Sequence, residues 1–190
     1  MNQNILEIIK NRRSVRKFND SPISKGTITQ ILEAATWAPN HRSTEPWRFF
    51  VLERNSKKRI EIANLIHDWT YKNVKNPNKK RRKTSALSAK QEIIDAPLFV
   101  YVYSIPGKTD VITKENYAAT CCAIQNLQLA SFSMGIGVGW STGKPCLCPE
   151  VKNALGITEN WDIVGALYIG YTNIKVTASR IPVNDVTEWL

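Results

Sequence analysis

The sequence has little of several residue types that would define a function directly. Its 190 residues include only two His, His41 and His67, and its four Cys occur as Cys121-Cys122 and Cys146-x-Cys148. Neither cysteine pair has the two-residue gap of the common zinc and redox motifs, and no His lies near them in the sequence. These absences argue against a metal site. Cysteines without the even spread of a disulfide framework indicate reduced thiols in a cytoplasm.

Export and membrane signals are also lacking. No stretch approaches eighteen consecutive apolar residues, and the first four residues lack the basic region and apolar run of a signal peptide. No Ser-His-Asp grouping and no catalytic pair of carboxylates can be picked out either. We therefore expect a soluble, cytoplasmic protein, and nothing in the sequence indicates a hydrolase.

The composition is that of an ordered globular protein. Hydrophobic residues make up 43% of the chain and charged residues 22%, with nine Gly and nine Pro. We expect one domain over residues 1–190, since this length supports one substantial core. The formal net charge of +10 attracts anions in general, so nucleic acid, acidic membrane surfaces and small phosphorylated molecules are all possible partners.

Apolar periodicity predicts helices and strands interleaved along the chain. The glycines from Gly135 to Gly139 follow a helical pattern, so they indicate a helix end leading into a strand rather than a dinucleotide-binding turn. Five adjacent like charges repel one another, so the run Lys79–Lys83 predicts a basic, mobile loop over residues 76–85. Residues 172–190 keep several apolar side chains and are predicted to form an arm that docks elsewhere. Helices are predicted at about residues 4–11, 24–38, 56–66 and 117–134 with a short one from 149, and strands at 47–52, 98–103 and 163–171.

A dense basic cluster follows the first predicted helix. The segment from Arg12 to Phe18 contains four cations and a hydroxyl in seven residues. In an extended segment Arg12, Ser14 and Arg16 point the same way, and guanidinium groups bind phosphate oxygens two at a time. A phosphorylated ligand suits this cluster best, although a solvated basic face is the ordinary alternative.

Five motifs in order resemble those of the nitroreductase family. Each is common alone, but their succession along nearly the whole chain is specific. The resemblance is to the short, single-domain NAD(P)H nitroreductases with His in an Ala-Pro-x-His segment. The motifs are Arg12–Phe18, Ala34–Phe49 (AATWAPNHRSTEPWRF), Gly135–Gly143 (GIGVGWSTG), Gly165–Gly170 (GALYIG) and Ser179–Pro182 (SRIP).

The resemblance implies a fold and an assembly. The fold would be α+β, a nitroreductase-like mixed sheet flanked by helices. The assembly would be an intertwined homodimer in which the C-terminal arm of one subunit, residues 172–190, adds to the sheet of the other. The apolar residues of the arm are consistent with that exchange.

The resemblance also implies FMN as the cofactor. Arg12 and Ser14 would lie near its phosphate and ribityl chain, with Arg13 in the same segment and Arg180 as a further phosphate contact. Arg16 would lie at the pyrimidine edge of the flavin. Many relatives carry Lys two residues before the equivalent of Arg180, where this chain has Ala178. Two further groups would reach the ring: Trp37, Pro39, Asn40 and His41 from the other subunit, and Trp140, Ser141, Thr142 and Gly143.

The implied activity is the reduction of nitroaromatic, quinone or similar acceptors with NAD(P)H, in alternating half-reactions on one open flavin face. The flavin would carry the hydride, which agrees with the lack of a protein nucleophile. A nucleic-acid-binding module is the competing interpretation, because of the net charge and six Trp that could stack on bases. Half of that net charge, however, lies in Lys79–Lys83.

Overall fold

The computed structural model describes residues 4–190, in which four strands form one sheet flanked by helices. Short 3-10 turns occur at His41–Ser43 and Val183–Val186. No helix among the described residues combines the length and apolar content that a membrane crossing requires. In chain order the elements are α1 (Ile5–Asn11), α2 (Lys25–Thr36), β1 (Trp47–Leu52), α3 (Lys57–Asn73), α4 (Lys79–Asp95), β2 (Leu98–Ser104), α5 (Asp110–Ser133), β3 (Ile136–Ser141), α6 (Lys144–Leu147), α7 (Glu150–Ala154) and β4 (Asp162–Tyr171).

The sheet has the strand order β1-β2-β4-β3, and every neighbouring pair is antiparallel. All seven residues of β2 are buried, as expected for a central strand covered on both faces. An isolated parallel bridge between Ser14 and Val138 adds the basic segment to the free side of β3. The α+β class is confirmed, and the parallel component of the sheet is this single bridge.

Alternate residues of β2 point to opposite faces of the sheet and pack into two different hydrophobic cores. Leu98, Val100 and Val102 pack on one face with residues of α2 and α5. Phe99, Tyr101 and Tyr103 pack on the other face with residues of α3, α4 and α7. The period of two along the strand thus assigns each side chain to one layer, and the basic segment lies at the sheet margin between the layers.

Helix boundaries follow the capping residues in the sequence. Asn4, Ser24 and Ser56 each accept a backbone N–H at the start of α1, α2 and α3. Gly135 has φ of 74° directly after α5, so the predicted left-handed helix terminator is confirmed. Helix α5 begins at Asp110, seven residues before the predicted start, because Thr109 caps it.

The prediction of a basic loop over residues 76–85 was wrong. Lys79–Lys83 form the first turns of α4, and the Asn78 side chain accepts the backbone N–H of Arg81 at 3.1 Å. Lys and Arg are good helix formers, and repulsion between solvated side chains is weak enough for the cap and the packing of α4 on α3 to overcome it. The exposed cations remain, but they are held on a helix.

A fully buried arginine joins α3 to the end of α4. The Arg59 Nε donates to Ile93 O at 2.8 Å, and Nη2 donates to the carbonyl of Ala96. Its Nη1 donates to Leu52 O at 3.4 Å. Burial lowers the pKa of Arg59 to about 10, so the group stays charged at neutral pH. The negative end of the α4 dipole stabilises this cation where a carboxylate would otherwise be needed.

Replacing Arg59 by Met should destabilise the fold by about 3 kcal/mol or more, because several buried carbonyls lose their donor. Urea unfolding followed by circular dichroism measures the change. Lys58→Met on the exposed neighbouring position is the control. It should change stability by less than about 0.5 kcal/mol, because its pair with Glu61 is at the surface. Equal effects of the two variants would contradict the capping role of Arg59.

Candidate functional site

The basic segment lies along β3. The Val15 N–H donates to Val138 O at 3.3 Å, next to the Ser14–Val138 bridge. This close approach requires glycine in the strand: a Cβ on Gly139 would lie 2.7 Å from Arg16 Cγ. The alternating glycines therefore position the basic segment, which explains their spacing without a dinucleotide fingerprint.

Side chains of the basic segment line more than one cavity. Arg13 and Val15 line a cavity of about 460 Å³ together with Gly137, Thr172 and Lys175. Arg16 lines a different cavity. The extended conformation predicted for this segment is thus present at these positions.

Three arginines gather at the C-terminal end of α1. Burial lowers the pKa of Arg12, and the positive charges of Arg13 and Arg180 lower it further. Arg180 therefore lies within Coulomb range of Arg12, although 168 positions separate them in the sequence. The Arg12 Nη1 donates to Gln128 Oε1 at 3.2 Å, and this buried amide of α5 orients the guanidinium.

The arginine cluster lacks acidic partners. In residues 4–190, no carboxylate lies within ion-pair distance of Arg12, Arg13 or Arg180. The Nε atoms of Arg12 and Arg13 are buried without a hydrogen-bond partner. Buried donors without acceptors are costly, and like charges raise that cost. The donor set therefore fits a phosphate dianion, the group by which FMN would be held.

Arg13 also caps the C-terminal end of α1. Its Nη1 donates to Lys10 O at 2.6 Å and to Arg12 O at 2.8 Å, so it caps the last turn of α1. Ser14 is exposed beside Arg13. Of the predicted phosphate ligands, Arg12 and Arg180 have the most donor capacity left for a ligand.

A second cavity of about 380 Å³ adjoins the segment at Arg16. The Arg16 guanidinium lies 5.2 Å from the centre of the Tyr168 ring and 3.6 Å from Glu92 Oε2. Trp140, Ser141, Thr142 and Gly143, which the resemblance implies for the flavin ring, line the same cavity. Its volume is in the range of small-molecule sites, and two cations, one carboxylate and several hydroxyls face it.

Contacts at the end of β3 fix the positions of the residues that line that cavity. The Trp140 Nε1 donates to Val164 O at 3.1 Å, and its ring packs where Gly165 has no side chain. The backbone N–H of Gly143 donates to Ser141 Oγ at 3.3 Å. This N–H is therefore already engaged, so the backbone amide of Thr142 is better suited than that of Gly143 to meet a ligand.

The Trp37–His41 segment lies away from the cavity at Arg16. None of Trp37, Pro39, Asn40 and His41 lines the cavity at Arg16. Trp37 is 80% exposed, and His41 Nδ1 lies 3.1 Å from Glu115 Oε2 on α5. Within one chain the structure does not bring this segment to the other predicted site residues.

Sequence reasoning missed several residues of the site. Glu92 lies on the part of the chain that was expected to follow a loop, and Lys144 and Tyr168 also line the cavity. Gln128 orients Arg12 from α5. The only signal for Gln128 was a polar residue within the apolar pattern of α5.

The thiols nearest this region are unreactive. Burial raises the pKa of Cys146 to about 12, and burial together with Glu150 raises that of Cys148 to about 12. Both are therefore protonated at neutral pH. Among residues 4–190, no three His, Cys, Asp or Glu side chains form a group that could hold a metal ion.

Comparisons with known proteins agree on one family. Residues 9–171 match the model of the Nitroreductase family. The chain is 33% identical over 181 residues to "Putative NAD(P)H nitroreductase YfhC" of Bacillus subtilis strain 168, a match covering 94% of this chain and 90% of that protein. The crystal structure of a nitroreductase-like family protein from Bacillus cereus superposes with a TM-score of 0.86 at 28% identity, covering 100% of this chain and 97% of the other.

A second solved structure was determined with a ligand. It is a nitroreductase with bound FMN from Bacteroides fragilis NCTC 9343, with a TM-score of 0.75 at 26% identity. The match covers 99% of this chain and 100% of that one. The expected nitroreductase-like fold is thereby confirmed.

Proposed function

The chain belongs to the nitroreductase family, and from this premise we propose that it is an FMN-dependent oxidoreductase that uses NAD(P)H to reduce nitroaromatic, quinone or similar acceptors. The observation that carries the proposal is the cluster of Arg12, Arg13 and Arg180, a group of cations without acidic partners among the described residues. The FMN bound by the Bacteroides fragilis relative supports the identity of the ligand.

The proposed FMN site has one group of residues for the phosphate and another for the flavin ring. Arg12 and Arg180 bind the phosphate, and Ser14 adds a hydroxyl near the ribityl chain. Trp140, Ser141 and Thr142 line the cavity at Arg16, which we call the ring cavity. FMN, when bound, supplies the group that accepts a hydride from NAD(P)H and passes electrons to the acceptor.

Arg16 acts by its charge. Placed at the ring cavity, its guanidinium stabilises negative charge at the pyrimidine edge without moving a proton. Tyr168 holds the guanidinium from one side, and Glu92 limits its net charge. The cavity lining includes no Cys and no His. One open flavin face would serve NAD(P)H and the acceptor in turn, in alternating half-reactions.

The proposal includes a homodimer that completes the site. Ile181, Val183 and Trp189 are 69%, 71% and 90% exposed, and Trp37 is exposed as well. Apolar side chains exposed on an arm are typical of a surface that another subunit covers. The arms exchange between subunits, and the Trp37–His41 segment of each subunit reaches the flavin of the other.

Absorption spectroscopy tests the proposal most directly. The purified protein should show the visible bands of a flavin, or gain them when FMN is added. NADPH or NADH should bleach these bands without oxygen, and a quinone or nitroaromatic should restore them. A preparation that stays colourless with added FMN would contradict the proposal.

The same experiment separates the enzyme from a nucleic-acid-binding module. Four of the six Trp, at positions 47, 69, 140 and 161, are buried or half-buried. Side chains packed in this way are poor stacking platforms, so the described structure does not favour the competing interpretation.

A further inference from the structure

A basic groove runs beside the cavity at Arg16. It has a volume of about 550 Å³ and lies between the first turns of α4 and Lys144. Lys80, Arg81 and Lys144 line it together with the hydroxyl residues Thr84 and Ser85, and none of its lining residues is acidic. The groove therefore offers cations and short hydroxyl donors to an anion.

The cations of the groove have no acidic partners among the described residues. Across residues 4–190, none of Lys80, Arg81 and Lys144 lies within 4.0 Å of a carboxylate oxygen. Lys144 Nζ donates to Ser85 Oγ at 2.7 Å, which fixes its ammonium against α4. Lys80 and Arg81 lie in the first turn of α4, where positive charge is unfavourable because it adds to the positive end of the helix dipole. Their charges therefore do not stabilise α4.

The binding groups are side chains rather than the helix backbone. The Asn78 side chain already accepts the Arg81 N–H at 3.1 Å. An anion in the groove would therefore meet the guanidinium and ammonium groups, which bind phosphate oxygens strongly.

The groove adjoins the cavity at Arg16. Lys144 lines both, and α4 forms a wall of both. From Glu92 at the ring cavity to Lys80 in the groove is twelve residues, or about 18 Å along the helix. A dinucleotide whose nicotinamide lies in the ring cavity can extend over this distance, and its adenosine end then lies at Lys80 and Arg81.

We propose that this groove binds the 2′-phosphate of NADPH and makes the enzyme prefer NADPH to NADH. The inference rests on the proposed function, because it places the nicotinamide at the flavin. The distance along α4 selects the 2′-phosphate over the pyrophosphate, since the pyrophosphate lies midway along the dinucleotide.

The test uses the FMN-loaded protein and the double variant Lys80→Gln, Arg81→Gln. The KM for NADPH should rise about tenfold or more, the effect of losing a charge-assisted hydrogen bond, while the KM for NADH changes less than about twofold. Calorimetric titration with adenosine 2′,5′-bisphosphate should show the same loss of affinity, with 5′-AMP unaffected. Flavin content should stay unchanged.

A matched control lies in the same run of charges. Lys79→Gln with Lys83→Gln removes the same charge from α4, but neither residue lines the groove. This variant should keep its KM for NADPH within about twofold of the parent. An equal loss in the control would mean that general charge, not the groove, attracts the nucleotide.

Two results would overturn the inference. Equal weakening of NADPH and NADH would assign the groove to the pyrophosphate, and unchanged binding of adenosine 2′,5′-bisphosphate would remove the phosphate site. The calorimetric titration needs no turnover. A protein that holds FMN but is reduced by neither nucleotide would therefore count against the proposed function, while the titration still decides the groove.

Discussion

Replacing Arg12 and Arg180 together by Ala should raise the Kd for FMN by about 10²–10⁴-fold. Each side chain is expected to give the phosphate one charge-assisted bond, worth roughly 1.5–3 kcal/mol. Arg12 is already held for this purpose by Gln128 and carries a buried Nε without a partner. Quenching of flavin fluorescence during titration of the apoprotein measures the Kd.

The matched control removes two cations that lie away from the cluster. Lys25 and Lys57 are exposed first residues of α2 and α3, so Lys25→Ala with Lys57→Ala gives the same net charge. Its Kd for FMN should stay within a few-fold of the parent. A double arginine variant that titrates as tightly as the parent would show that the phosphate lies elsewhere.

Removing the C-terminal arm should abolish the dimer and flavin binding together. The arm has two parts. The first part, up to Arg180, contacts its own subunit: Thr172 Oγ1 donates to Lys17 O at 3.0 Å, and Arg180 lies near Arg12. Beyond Arg180 its apolar side chains are exposed. The second part is therefore the segment expected to reach the partner.

Two truncations separate these parts. Ending the chain after Arg180 keeps the phosphate contact but should lose the dimer, and with it the Trp37–His41 segment of the partner. Ending it after Thr172 removes the phosphate contact as well and should abolish FMN binding together with the dimer. A ligand bound only by the assembled form stabilises that form, so added FMN should favour the full-length dimer.

Sedimentation and flavin absorbance on one sample measure both quantities. A monomer truncated after Arg180 that binds FMN as tightly as the parent would contradict the shared site. A truncated protein that remains a dimer would contradict arm exchange, whatever its flavin content.

The sequence predicts the elements whose signals are local. The caps Asn4, Ser24 and Ser56, the helix terminator Gly135 and the central strand β2 all follow from neighbouring residues. The basic segment was predicted as one unit because its charged residues are neighbours in the sequence.

Features that depend on distant parts of the chain could not be predicted from local signals. Arg59 looks like an exposed helix residue, and its burial depends on carbonyls that follow it by more than thirty residues. Glu92 meets Arg16 only after α4 packs on the sheet. The basic run was assigned to a loop because charge repulsion was weighed without the Asn78 cap and the packing of α4 on α3.

The two ends of α4 differ in what holds them. Arg59 binds the carbonyls at its C-terminal end, next to Glu92, whereas its first turns carry unpaired cations. Repulsion among exposed charges is long-ranged in dilute buffer and is screened over about 8 Å at physiological ionic strength. Ionic strength therefore acts mainly on the first turns of the helix, because the buried contacts of Arg59 at the other end are screened much less. Salt and anions can order or loosen the wall of the groove while the end that Arg59 holds stays fixed.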